Sequence, residues 1–123
     1  MKILNLTQHL ATDEQKAEGV VDLPTDLRLE LCKLLTFDTL EETKDVLKRS
    51  LDIARLAKKS NIAAHAAMIG GAPFFMSFLE NALKQTGIQP LYAFTPREVI
   101  KTHNENGTVI KQVVFKHKGF IQA

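Results

Sequence analysis

One cysteine, Cys32, stands in the 123 residues, so no internal disulfide can form, and no zinc-ligand spacing surrounds it. Its setting, "LRLELCKLL", is apolar, and the thiol is read as a small buried hydrophobe. Net charge is nearly absent too: sixteen basic residues against fourteen acidic ones leave +2. That balance gives no bulk attraction for long nucleic acid, and any site for a polyanion has to be local. No apolar run reaches the length of a membrane span, and the start, "MKILNLTQHL", is too interrupted by Asn5, Thr7, Gln8 and His9 for a signal peptide. The expected location is the cytoplasm, with no membrane partner. Neither a phosphate-loop lysine motif nor a Gly-x-Gly-x-x-Gly fingerprint is present.

What remains is an ordinary globular composition, 45% apolar and 24% charged, in a chain long enough for one core. A single domain over 1–123 is expected. "KILNL" reads as a first strand, and Thr12 with Gln15 resembles a capping box for a short helix that Gly19 closes. "VVDLP" is a second strand. "TDLRLELCKLL" places Leu27, Leu31, Leu34 and Leu35 on one helical face. A longer helix is expected from Asp38 and Thr39, with Glu41 and Glu42 in its first turn, Lys58 and Lys59 in its last, and Leu40, Leu47, Leu51 and Ala54 as its buried stripe.

"IAAHAAMIGG" has the continuous apolarity of a central strand covered on both faces, with His65 as a core histidine. "APFFMSFLENALKQTG" follows as a helix burying Phe75, Phe78, Leu79 and Leu83, and "PLYAF" as a further strand. The tail carries two β-rich runs around Asn106-Gly107, a strong hairpin signal. Thr-Pro-x-Glu at Thr95 also suits a helix start, but the continuation is too short and too β-branched for one. Strands alternating with helices and then a hairpin define a small α/β domain, its mainly parallel sheet carrying an antiparallel edge.

Ligand crevices in such sheets open beyond the carboxyl ends of the strands, at the point where connections leave in opposite directions. Three segments end there: "NLTQH", "GGAP" and "FTPRE". Backbone N–H groups of Gly70, Gly71 and Ala72 at a helix start suit an anion, although two glycines and a proline equally suit a plain strand-to-helix turn. Asn5, Thr7 and Gln8 could hold a polar ligand or cap the next helix. His9 is the acid–base candidate by position, and Arg97 either grips a phosphate or pairs with Glu98 or Glu105. Phe74 is the aromatic residue placed to line a base pocket, while Phe75 and Phe78 are core. His103 and His117 could face each other across the hairpin, without a carboxylate or thiol to complete a metal site.

The segment "PLYAFTPREVIKTHNENGTVIKQVVFKHKGF", together with "NLTQHLATDEQ" at the start, resembles small CRISPR-associated proteins of the ring nuclease group. The resemblance implies a compact three-layer Rossmann-like domain related to CARF domains, acting as a homodimer on a cyclic oligoadenylate, the cyclic tetra-adenylate first. It implies metal-free cleavage without a cofactor, in which a ribose 2′-OH of the ligand attacks the adjacent phosphate. In that scheme Gly70, Gly71 and Ala72 present N–H groups to phosphate, and Asn5, Thr7, Gln8, Phe74 and Thr95 bind ribose or base. Arg97 offsets transition-state charge and His9 moves the proton. A non-catalytic sensor of the same ligand, and an adaptor whose hairpin pairs with another protein, are the alternatives.

Overall fold

The computed structural model describes residues 1–103 and 105–123, with Ile100 and Thr102 described by their backbone alone. Among the described residues, seven strands and four helices follow in the order β1 (Ile3–Leu6), α1 (Asp13–Ala17), β2 (Val20–Asp22), α2 (Thr25–Leu35), α3 (Thr43–Lys59), β3 (Ala66–Ile69), α4 (Pro73–Gln85), β4 (Gln89–Phe94), β5 (Arg97–His103), β6 (Val109–Phe115) and β7 (Gly119–Gln122). The main sheet runs β2-β1-β3-β4-β7, parallel through its first four strands and antiparallel at β7. This is a small Rossmann-like fold.

β1 is fully buried because it is central, and its alternate side chains serve two cores. Leu4 and Leu6 join Ala67 and Ile69 beneath Leu27, Leu31 and Leu35 of α2, Ile53 and Ala57 of α3, and Phe75, Leu79 and Leu83 of α4. Ile3, Val20, Ala66, Met68 and Leu91 form the opposite core with Ala11. The helical layer on that side is thin: α1 buries no side chain of its own. Its capping box is present as expected, Thr12 accepting from the Gln15 backbone at 3.2 Å and Gln15 accepting from the Thr12 backbone at 3.0 Å.

Several expectations shift. The long helix begins at Thr43, not at Asp38, and 38–42 is a loop. Its buried face is consequently Val46, Ser50, Ile53, Ala54, Leu56 and Ala57, whereas Leu40 is wholly exposed and Leu47 half exposed. The central strand starts only at Ala66, which leaves His65 exposed ahead of it instead of in the core. Cys32, expected to be buried, is half-buried.

The expected hairpin forms as β5 and β6, paired from Arg97↔Phe115 to His103↔Val109, with Gly107 at φ +77° in the turn. Asn104, between the two strands, lies outside the described residues. This hairpin is a sheet of its own, and the antiparallel edge of the main sheet is β7. His103 stands opposite Val109, so the two histidines do not face each other. The His117 ring is instead buried at the hairpin root, 4.8 Å from the Phe120 ring, with Nε2 3.3 Å from a Glu18 carboxylate oxygen.

Candidate functional site

The chain leaves β1 for β2 on one side and reaches β3 on the other, so β1 and β3 mark the switch point of the sheet. A crevice of about 450 Å³ opens at their carboxyl ends. Thr7, Gln8 and His9 form one rim, Gly70 and Gly71 another, and Tyr92 and Ala93 of β4 close it. Two of the three expected segments therefore converge. The third does not: after Phe94 the chain departs into the hairpin, and Thr95 and Arg97 are exposed outside the crevice.

Asn5 shapes the first rim from beneath. Its buried amide donates to the His9 carbonyl at 2.7 Å and to Asp22 at 2.8 Å, while its oxygen accepts from the Thr7 backbone N–H at 3.0 Å and the Thr7 hydroxyl at 2.7 Å. The same Asp22 oxygen accepts from the Ala11 N–H at 3.0 Å. Its donors and acceptor are engaged inside the protein, where Asn5 braces the loop against β2. Gln8 ties the rim to the end of α2 through Thr36 at 3.1 Å. His9 is exposed, and its ring makes no hydrogen bond among the described residues.

The two glycines differ. Gly71 sits at φ +151°, a conformation that strains any side chain, and a Cβ there would meet Met76 Cε at 3.4 Å and Leu35 Cδ2 at 3.8 Å. Gly70 has an ordinary φ and room for a Cβ, the nearest atom being Thr7 Cγ2 at 3.7 Å across the crevice. Geometry alone thus accounts for Gly71 and leaves Gly70 open to a role in close approach. Ala72 is the N-cap of α4, Pro73 takes the first helical position, and no side chain caps this end. Phe74 turns away from the crevice, its ring edge-on to Phe37 at 4.9 Å, in a neighbouring groove.

Tyr92 is the member that the sequence reading passed over. Its hydroxyl donates to Glu80 of α4 at 2.5 Å. Burial first, then the hydrogen bond and the negative charge of Glu80, push the phenol far above its usual ionisation. The visible signal was the chain's only tyrosine on the strand leading to the third segment. The crevice lining holds no Lys or Arg among the described residues. Its chemistry is that of a histidine, hydroxyl and amide side chains, and backbone groups.

Fold and crevice together define a small Rossmann-like protein with a switch-point pocket. The chain belongs to the Uncharacterized protein MJ1673 family, whose sequence profile matches residues 1–121. That description names no activity. No curated protein and no solved structure matches the chain. Among the described residues no helix is long and apolar enough to cross a membrane.

Proposed function

We propose that the protein binds a cyclic oligoadenylate at the switch-point crevice, as a homodimer with the ring on its twofold axis, and cleaves the ring without a metal. The observation that carries this reading is the pairing of an unengaged His9 with the Gly70 approach across one crevice. A ribose 2′-OH of the ligand attacks the adjacent phosphorus, the 5′-oxygen leaves with a proton, and a 2′,3′-cyclic phosphate end remains. Backbone groups at Gly70 to Ala72 meet the phosphate, Thr7 and Gln8 bind ribose or base, and His9 transfers the proton. Arg97 has no part within one chain, since it begins β5 outside the crevice.

Chromatography of cyclic tetra-adenylate incubated with the protein and a chelator tests this, with calorimetry on the tetra- and hexa-adenylate rings. Linear products are expected, and His9→Ala should slow single turnover by ~100- to 10,000-fold at nearly unchanged affinity. Gly70→Val should abolish binding in a folded protein. A loss below roughly tenfold in His9→Ala removes the proton-transfer role, and no heat or thermal shift from either ring ends the proposal. Intact ligand recovered from a tight complex marks a sensor instead. A protein-interaction adaptor without nucleotide is the reading favoured by the free-standing hairpin.

A further inference from the structure

The hairpin β5–β6 leaves the main sheet at the carboxyl end of β4; among the described residues it pairs with no other strand and contributes no side chain to either core. Its register sorts the side chains. Arg97, Val99, Lys101 and His103 share one face with Phe115, Val113, Lys111 and Val109. On that face Val99, Val109, Val113 and Phe115 are 48–66% exposed, and the charged groups are cationic without an acid among them. Lys101 stands directly opposite Lys111, a like-charge pair that destabilises a ribbon unless an anion meets it. A two-stranded hairpin of this kind is marginal in water by itself. Both features call for a surface that is apolar and acidic at once.

Such a surface lies at the same end of the molecule. A groove of about 470 Å³ runs between the 37–43 segment and the start of α4, walled by Phe37, Leu40, Val46, Phe74 and Phe78, with Asp38 and Glu41 on its rim. Leu40 is fully exposed and Phe74 56% exposed. Glu41 is already paired with Arg49 at 2.8 Å and Glu42 with Lys44 at 3.4 Å. Asp38 makes no ion pair among the described residues. Gln8 bonded to Thr36, and the Leu35 methyl beside Gly71, place this groove beside the carboxyl ends of β1 and β3, the edge of the sheet at which β4 also passes into the hairpin.

We propose that the cationic, apolar face of the hairpin docks in the Phe37–Phe74 groove of a second copy of this chain, the two copies exchanging arms about a twofold axis. Arm and groove are carried by every copy at one end, so a single twofold operation satisfies both at once and closes the assembly as a dimer. The valines and Phe115 enter the aromatic walls, and Lys101 and Lys111 meet Asp38 on the rim. A phosphate ligand would answer the lysines and leave the four apolar side chains in water, which is why a protein groove is the better occupant. The inference names the surface of the dimer proposed above and uses none of the ligand chemistry.

Sedimentation of the full chain, with circular dichroism on each variant, is the test. The expected species has twice the 13.7 kDa chain mass. Leu40→Glu and Phe115→Glu, both at exposed positions, should each weaken association at least tenfold without loss of secondary structure. Asp38→Lys and Lys111→Glu should weaken it singly and restore it together. In a Cys32→Ser background, mixing a Leu40→Cys chain with a Phe115→Cys chain should give a disulfide between the two. A strict monomer, or a dimer that none of these variants disturbs, overturns the proposal. So does a hairpin whose lysine variants change only the retention of cyclic tetra-adenylate, because that outcome assigns the face to a polyanion. Ligand binding measured on the same variants separates this result from the fate of the nuclease reading.

Discussion

At Tyr92 the fold holds the phenol in its protonated form beyond its usual range. Burial and the Glu80 carboxylate raise its ionisation above the ordinary 10.0. Since the chain has one tyrosine and no tryptophan, the near-ultraviolet absorbance change on raising pH reports this group alone. In the unfolded chain the phenol ionises near pH 10, whereas the folded state still retains its proton. The folded state therefore binds the extra proton, and stability is full below about pH 10 and falls as pH climbs above it. The expected result is a phenolate signal that appears well above pH 10 in the native protein and moves down in Glu80→Gln. Ionisation near 10 in the native protein contradicts the Tyr92–Glu80 contact.

Among the elements, the loop ahead of α3 is where a legible pattern misled. Asp38 and Thr39 look like a helix start, and Leu40 then falls into a 3.6-residue stripe with Leu47, Leu51 and Ala54. What holds 38–42 out of the helix comes from eleven residues further along. Arg49 donates to the carbonyls of Lys33, Leu34 and Thr36 at 3.2, 3.1 and 2.7 Å, pairs with Glu41 at 2.8 Å and lies over the Phe37 ring at 4.4 Å. One guanidinium thus terminates α2, pins the loop and fixes one wall of the groove. Sequence periodicity contains no trace of such a clamp. Lysine keeps the charge but not the planar fork. Arg49→Lys should accordingly lower stability by about 1–3 kcal/mol in urea unfolding, because three carbonyls at the end of α2 lose their shared charged donor. A change below a few tenths of that would mean that the loop is held by its apolar contacts.

For the whole molecule, β1 to β4, the helix α4 and the hairpin were readable because each is coded by neighbours in sequence, whereas the short edge strand β7 was not read. Alternation, the Pro73 start and Asn106-Gly107 are all local. Strand order is not local. Which loops share a crevice depends on β1 lying between β2 and β3, and on β4 passing its chain to a hairpin instead of to a rim loop. Hence Thr7 to His9 and Gly70 to Gly71 met as the general rule for parallel sheets expects, while Arg97 did not. Asn5 was named as a ligand-binding or capping residue, and its role in bracing the loop was missed for a related reason: its partners His9 and Asp22 are fixed by the β1–β2 pairing, which composition cannot display.

Phe94 and Gly119 are registered neighbours on β4 and β7, and one step further out the Lys116 N–H donates to the Pro96 carbonyl at 3.2 Å. In architectural terms the arm is an extension spliced into the bend of a shorter β4–β7 hairpin, its two ends meeting at a seam that is already hydrogen-bonded. Cutting out 97–115 and joining Pro96 to Lys116 through Asn-Gly would turn that existing bond into the closing bond of a two-residue turn. The trimmed chain should keep its five-stranded sheet by circular dichroism and sediment as a monomer. If it fails to fold, the arm is part of the scaffold; if it folds, the domain and its mode of assembly are separable parts, and the arm is a module that could be transplanted to another sheet edge.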